Sequence, residues 1–240
     1  MDAGGQGNPA GLSAVCGIDL GSLHTPAYVA WLRRGVFRLD MYLPSPGQPL
    51  PPTPRGCVPP AYIAIDAPQG LPRRGSGRRL ADAAAGTPTN LLPSDRAALG
   101  HWRLYRGLVE AGIELFWAVY ERRLGIIPGL PCEISQPVVL ETYPRHVIRR
   151  LWPRLRIPVK RRQPLAYIDA LWPLIRDLGY RCPGLLRPTV DQVDAMLCAL
   201  AAQACLEAGG WADLAVGEPP IVDTEARVLR EGLIVAPAGR

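Results

Sequence analysis

Five acidic residues lie where strands and one helix could bring their carboxylates to one place. Asp19, Asp66 and Glu141 each stand at the end of a short apolar run, and Asp191 and Asp194 are three residues apart in a later apolar stretch. Strand ends in α/β sheets are where ligands and catalytic groups collect, and a spacing of three puts two helical residues on one face. Carboxylates this close repel one another unless cations lie among them, and oxygen-rich clusters suit Mg²⁺ or Mn²⁺. The expected chemistry is a pair of ions about 4 Å apart that clamps the attacking and leaving oxygens of a phosphodiester.

Each of these acids has an ordinary structural explanation when it is taken alone. Asp19 comes shortly before Gly21 and is also typical of a turn, and Asp191 in a first helical turn would interact favourably with the helix dipole. Asp194 lies past that first turn, where the dipole effect fades. The prediction therefore depends on the convergence of all five acids.

The elements that must position these acids are predicted from hydrophobic periodicity and turn residues. Thr189 and Gln192 form a capping box that opens the last helix. Short apolar runs predict strands, of which the first three form a meander, and helical periodicity predicts further helices. The predicted strands span 14–20, 27–32, 35–41, 61–65 and 137–140, with an added strand over 232–236, and the other helices span 101–124, 144–152 and 164–178. Strands first, then strand–helix alternation, indicate an α/β fold with a mixed sheet and helices on its faces.

The chain is predicted to form one domain with two long loops. Its 240 residues are 48% apolar, which is enough to bury a core over 14–240, whereas the small and polar residues 1–13 are expected to form a disordered tail. Residues 44–60 hold eight prolines in seventeen residues, which excludes a regular element. Residues 67–100 are rich in Gly, Pro and Arg and predict a second loop, of a length that is often functional.

Composition argues against several classes of protein. No run is apolar for long enough to cross a bilayer and the start has no apolar signal core, so we expect a cytoplasmic protein without a membrane partner. The six cysteines include no C-x-x-C pair, and only three histidines accompany them. Neither a zinc site nor a Cys–His nucleophile is therefore indicated.

Positive charge is concentrated in one segment of the chain. The net charge is +6, from 27 basic and 21 acidic residues, yet residues 145–162 carry eight basic and no acidic side chains. A local excess of this kind indicates an anionic partner, and arginine binds phosphates through two hydrogen bonds at once. Lys160 is the only lysine, and the general use of arginine is typical of a GC-rich genome. Nucleic-acid contacts are expected from arginines of this segment and of the second loop, although a solvated basic face explains the same pattern: Arg73, Arg74, Arg78, Arg79, Arg149, Arg150 and Arg154.

Six short motifs follow one another along the chain. They are Gly17-Ile-Asp-Leu20, Ile65-Asp-Ala-Pro68, the stretch from Arg79 to Asp82, Glu141-Thr-Tyr-Pro144, Asp191-Gln-Val-Asp-Ala195 with its alanine-rich continuation, and Glu231-Gly-Leu-Ile-Val235. In this order they resemble a family of uncharacterised domains, domain-of-unknown-function family 429, whose members are predicted to be RNase H-like nucleases.

The resemblance implies an RNase H-like fold in which the first strand, the fourth strand and the final helix supply metal-binding acids. By position these catalytic acids are Asp19, Asp66, and Asp191 with Asp194, which would hold Mg²⁺ or Mn²⁺ for the hydrolysis of phosphodiester bonds in a nucleic acid. The helix pair is similar to the Holliday-junction resolvase branch of the fold, although that branch has Glu where this chain has Asp66. Glu141 is implied as a further metal ligand or as an acid that supports the ligands.

Two other functions stay open from the residues. The run 17–22 is similar to the first phosphate loop of the sugar kinase and actin superfamily, which is a phosphotransferase fold with the same strand topology. Those proteins close two such domains around a nucleotide, and a homodimer of this chain would supply both. The third function is that of a non-catalytic RNase H-like module that binds nucleic acid or protein, and it would tolerate the loss of Asp66 or Asp194.

Overall fold

Seven strands form one mixed sheet in the order β3-β2-β1-β4-β5-β7-β6, in a computed structural model that describes residues 13–88, 91–103, 105–131 and 136–239. The strands are β1 Ala14–Asp19, β2 Ala27–Arg33, β3 Val36–Tyr42, β4 Pro60–Asp66, β5 Val138–Thr142, β6 Ala215–Asp223 and β7 Val228–Val235. The α-helices are α1 Leu80–Ala85, α2 Arg106–Glu121, α3 Pro144–Leu151, α4 Pro164–Asp177 and α5 Val190–Glu207, with short 3₁₀ helices at Ala97–His101 and Ala212–Leu214.

The sheet combines an antiparallel meander with parallel strands. β1, β2 and β3 pair antiparallel in sequence, whereas β4 pairs in parallel with β1, β5 with β4, and β7 with β5. β6 closes the far edge antiparallel to β7. This arrangement confirms the predicted α/β fold, a mixed sheet with a three-stranded antiparallel meander, parallel strands and flanking helices.

Helices cover both faces of the sheet because the central strands bury side chains on both sides. In β1, Val15 belongs to the core that α3, α4 and α5 form on one face, whereas Cys16 and Ile18 belong to the core beneath α2 on the other. All three side chains are fully buried. Such two-sided burial explains why the central strands are continuous apolar runs rather than alternating ones.

α5 approaches the sheet closely at Gly17 in β1. A Cβ atom on this residue would lie 2.1 Å from the backbone nitrogen of Ala199 and 2.2 Å from the carbonyl oxygen of Ala195, both in α5. Glycine is needed here because only a residue without a side chain allows this approach of two backbones. The alanine-rich sequence of α5 is the other half of the same contact.

The structure corrects two predicted elements. The segment 67–100, predicted as one loop, contains α1, because Ala81 and Ala85 pack into a small core with Ile234 of β7. The helix predicted over 101–124 begins only at Arg106, because the residue before it, Tyr105, has a left-handed backbone with φ of 54°. The predicted tail 1–13 lies, apart from its last residue, outside the described residues.

One strand was not predicted. β6 contains Pro219 and Pro220, and its register with β7 shifts between Glu218 and Ile221, where these prolines lie. Proline has no N–H to give to a ladder and is confined to edge strands, which is the position of β6. In the described ranges, no helix combines the length and the apolarity that a membrane span requires.

Candidate active site

Three carboxylates converge at the carboxyl ends of the two central parallel strands. Asp19 ends β1, Asp66 ends β4, and Asp194 lies in the second turn of α5. One oxygen atom from each side chain lies within 4.8 Å of the others. The predicted convergence of acids from separate elements is therefore present for these three residues.

The fold brings these acids together through two contacts. Asp19 and Asp66 are register partners in the parallel β1–β4 ladder, so their side chains stand next to each other at the same edge. α5 crosses β1 at Gly17, two residues before Asp19, and the α5 residues at that crossing are Ala195 and Ala199. Asp194 precedes Ala195 and is consequently held over the end of β1.

The three clustered carboxylates are buried or partly buried, and this burial affects their pKa values. Asp194 is fully buried, and Asp19 and Asp66 are partly buried. Burial, followed by repulsion from Asp194 and Asp66, raises the pKa of Asp19 well above its ordinary value. Burial also raises the pKa of Asp66, to about 7, although the charge of Lys160 opposes that shift. Negative charge is therefore concentrated here at a cost in stability, as is typical of a functional site.

Two donors from neighbouring segments hold Asp194. Lys160, in the connection between α3 and α4, donates a hydrogen bond from its ammonium group to Oδ2 of Asp194. The hydroxyl of Tyr167 in α4 donates to Oδ1 over 2.5 Å. Burial opposes the charged form of Lys160, but Asp194, Asp19 and Asp66 outweigh it and raise the pKa of the lysine. Lys160 therefore keeps its positive charge beside the three acids.

The contact between Lys160 and Asp194 was not predicted from the sequence. A usable signal was present, because Lys160 is the single lysine of a chain in which every other basic side chain is arginine, apart from histidine. Nothing in the sequence pattern indicated Tyr167, which lies at helical spacing among apolar residues and belongs to the core that covers α5.

An open cleft of about 900 Å³ runs over the acids. Asp19, Asp66 and Lys160 line it, together with the arginines Arg103, Arg106 and Arg161. A smaller cavity of about 150 Å³ adjoins it beside Asp66 and Asp194, and its lining includes Tyr105, Tyr143, Tyr167, Arg145 and Arg161. The guanidinium of Arg161 lies 4.8 Å from the centre of the Tyr105 ring, a distance that suits a cation–π contact. The surroundings of the acids are thus cationic and aromatic.

Asp191 and Glu141 do not join the three clustered carboxylates. Asp191 is exposed and lines the open cleft, from which its charge raises the pKa of Asp19 and Asp194. Glu141 is buried, and both of its oxygens accept hydrogen bonds from the Arg79 guanidinium, at 2.6 and 2.7 Å. Of the two roles implied for Glu141, a further ligand or a supporting acid, its place beside the cluster fits the second, and its charge contributes to the raised pKa of Asp66.

Arg79 is not a surface residue, which corrects its predicted role in binding nucleic acid. Its side chain is 0% exposed and pairs with Glu141 and with Asp82, whose oxygens accept at 2.7 and 2.9 Å. The backbone N–H of Gln69 completes the group with a hydrogen bond of 2.8 Å to Glu141. A guanidinium that is enclosed in this way cannot reach a phosphate, and it fixes the segment after β4 against β5.

The other predicted phosphate-binding arginines are exposed but lie away from the described lining of the cleft. Arg73 pairs with Glu218, and Arg74 pairs with Asp223 and Glu225 at 3.2 and 2.8 Å. Arg149 donates to the carbonyl oxygen of Ala85. The remaining members of the set are likewise on the surface: Arg78, Arg150 and Arg154. The arginines that do line the two cavities were not singled out in the sequence.

The donor chemistry of the cluster fits a hard divalent cation. Its three side chains offer carboxylate oxygens alone, which are the ligands that Mg²⁺ and Mn²⁺ prefer, and no nitrogen or sulfur ligand that zinc would favour belongs to the group. Burial is the main cause of the raised pKa values of Asp19 and Asp66, and repulsion from the neighbouring acids adds to it.

Comparison with known proteins gives a family and no activity. Residues 17–220 match the model of the family described as protein of unknown function (DUF429). No curated protein and no solved structure matches the chain.

Proposed function

The chain belongs to this family of unknown function, DUF429, and we propose that it is a nuclease that hydrolyses phosphodiester bonds with a divalent cation. The observation that carries the proposal is the cluster of Asp19, Asp66 and Asp194, with one oxygen of each within 4.8 Å of the others at the carboxyl ends of parallel strands. Acids of this kind at this edge of an α/β sheet are suited to ligand binding and catalysis.

The three clustered acids would hold the cation. A bound Mg²⁺ or Mn²⁺ lowers the pKa of water and neutralises charge that develops on the phosphate during the reaction. In the hydrolysis, an oxygen of water forms a bond to phosphorus, the bond from phosphorus to the sugar oxygen breaks, and that oxygen leaves with a proton. Tyr167 and Lys160 fix the orientation of Asp194, so that this carboxylate is already in place before substrate arrives.

Nucleic acid is the substrate class that the surroundings of the acids favour. Arg103 and Arg161 line the open cleft and would pair with backbone phosphates on either side of the scissile one, whereas Arg106, in the same lining, already pairs with Glu110. Tyr105, under the guanidinium of Arg161, borders both cavities and offers an aromatic face on which a base could stack.

We also propose a cytoplasmic location. The five cysteines within the described residues are all free thiols, and thiols stay reduced in the cytoplasm: Cys16, Cys57, Cys182, Cys198 and Cys205. A reducing compartment is consistent with an enzyme that acts on nucleic acid inside the cell.

The test is cleavage of a panel of labelled single-stranded, duplex, hybrid and junction substrates in the presence of Mg²⁺ or Mn²⁺. An Asp19→Asn/Asp194→Asn double variant, purified identically, controls for contaminating nuclease. Asp213→Asn, at an exposed position in a 3₁₀ helix, is the matched charge control. We expect cleavage by the wild type and by Asp213→Asn and a loss of at least about a hundredfold in the double variant. Equal cleavage by all three proteins, or none by the wild type with either metal, would contradict the proposal.

A further inference from the structure

The basic residue at the acid cluster is a lysine, although the chain uses arginine everywhere else. Lys160 places its ammonium group on Oδ2 of Asp194, while 43% of its side chain is exposed. An ammonium is a compact point charge with three donors, whereas a guanidinium is a planar fork that spans a wider site. The ammonium group of Lys160 therefore places a small cation beside these carboxylates.

The three acids differ in how well they are already satisfied. Both oxygens of Asp194 accept a hydrogen bond, one from Lys160 and one from Tyr167. In contrast, no hydrogen bond or ion pair reaches the carboxylates of Asp19 and Asp66 from the described part of the chain. These two side chains stand side by side as register partners. The demand for a further cation is thus concentrated on the pair Asp19 and Asp66.

The charges lead to the same result. Three carboxylates and one ammonium leave two negative charges, which a single divalent cation neutralises. The fourth acid nearby, Asp191, is exposed at the rim, where Arg103, Arg106 and Arg161 line the same cleft.

We infer that Lys160 takes the place of one metal ion, so that the site binds one divalent cation, on the side of Asp19 and Asp66, rather than a pair. This inference rests on the proposed function and replaces the pair of ions expected from the number of acids. Lys160 would then provide a positive charge that also faces the substrate phosphate and that is present at any metal concentration.

The test is the number of Mn²⁺ ions bound per chain, measured on metal-free protein by titration calorimetry and by the electron paramagnetic resonance of free Mn²⁺. Lys160→Gln removes the charge, Lys160→Arg retains it, and Arg154→Gln removes an exposed charge from the same segment as the matched control. Thermal melting of each variant verifies that it is folded. We expect one Mn²⁺ for the wild type, for Lys160→Arg and for Arg154→Gln, and two for Lys160→Gln.

The outcomes separate this inference from the function on which it rests. Two Mn²⁺ ions in the wild type, or one in both the wild type and Lys160→Gln, would overturn the role of Lys160. Either result would leave the proposal of a metal-dependent nuclease unchanged. A folded wild-type protein that binds no Mn²⁺ would overturn the metal-dependent nuclease itself and the inference with it.

Discussion

Asp66 and Asp223 both end a strand, yet their surroundings shift their pKa values in opposite directions. The backbone N–H of Ala226 and the side chain of Arg230 donate to Asp223 and lower its pKa to about 2. Asp66 has no such donor among the described residues, and burial raises its pKa to about 7. Asp223 stabilises the turn between β6 and β7. Asp66 instead lies where burial disfavours its charged form, and perturbed pKa values of this kind cluster at functional sites.

The raised pKa of Asp66 predicts how the stability of the metal-free protein depends on pH. An unfolded aspartate has a pKa of about 3.9, so between that value and about 7 the folded state binds the proton more tightly. The contribution of Asp66 is therefore most favourable at low pH and is lost as the pH rises through 7. Asp66→Asn removes this loss, and its free energy of unfolding relative to the wild type should rise by about 2–3 kcal/mol from pH 5 to pH 8.

Urea denaturation in EDTA at the two pH values measures this difference. The comparison with wild type is essential, because burial lowers the pKa of His146 to about 4 and gives both proteins an opposite trend. Asp213→Asn, which changes an exposed aspartate, should follow the wild type at both pH values. An Asp66→Asn variant whose difference from wild type does not change with pH would show that Asp66 ionises normally in the folded protein.

At the scale of elements, the site depends on how closely α5 lies against the sheet. The carbonyl oxygen of Ala195 and the backbone nitrogen of Ala199 occupy the space that a side chain at residue 17 would need. A larger residue at Gly17 would therefore push α5 outward, and Asp194 would move with the helix away from Asp19. The contact at Gly17 thus determines both the packing of α5 and the geometry of the candidate site.

Gly17→Ala tests this dependence. The added Cβ would lie 2.1 and 2.2 Å from backbone atoms, which have no rotamer to change, so we expect the free energy of unfolding to fall by about 3 kcal/mol. Gly77→Ala is the control, because nothing lies within 4 Å of its added Cβ, and it should change stability by less than about 0.5 kcal/mol. Chemical denaturation gives both values, and calorimetry with Mn²⁺ should show weaker binding by Gly17→Ala alone. Equal stability of the two variants would mean that α5 does not depend on this contact.

The elements that the sequence predicted best are those whose signals are local. The buried strands that carry Asp19 and Asp66 are short apolar runs, and the capping box at Thr189 is present at the start of α5 as expected. β6 could not be predicted in the same way, because its prolines are tolerated only through its position at the sheet edge. An edge position is a property of the assembled sheet and leaves no mark in the local sequence.

The site was predictable to the same extent. The residues at strand ends and in the capped helix were found because each has a fixed place in a local element. Arg79 was misassigned because its partners, Asp82 and Glu141, bury it only once β5 has joined the sheet. Lys160 was passed over for the same reason, since its contact with Asp194 joins an irregular segment to a helix that begins thirty residues later.

For the whole molecule, the net charge of +6 matters less than where the basic residues are left without acidic neighbours. Arg73 and Arg74 lie among the acids of β6 and of the turn that follows it, which absorb their charge locally. Arg161 instead lies over an aromatic ring at the mouth of the cleft. A polyanion would therefore be drawn towards the acid cluster rather than towards the arginine-rich loop, and the arginines around the cleft would offset the repulsion between the phosphates and the acids.

This distribution predicts which arginines contribute to the salt dependence of binding. In the Asp19→Asn/Asp194→Asn background, which prevents cleavage, Arg161→Gln should weaken the binding of a labelled single strand and reduce the slope of log K against log salt by about 1. Arg74→Gln removes the same charge from a residue that is already paired with Asp223 and Glu225, and its slope should match that of the parent. Fluorescence anisotropy across a range of salt concentrations measures all three slopes. A reduced slope for Arg74→Gln with an unchanged slope for Arg161→Gln would show that nucleic acid binds at the β6 edge of the sheet and not in the cleft.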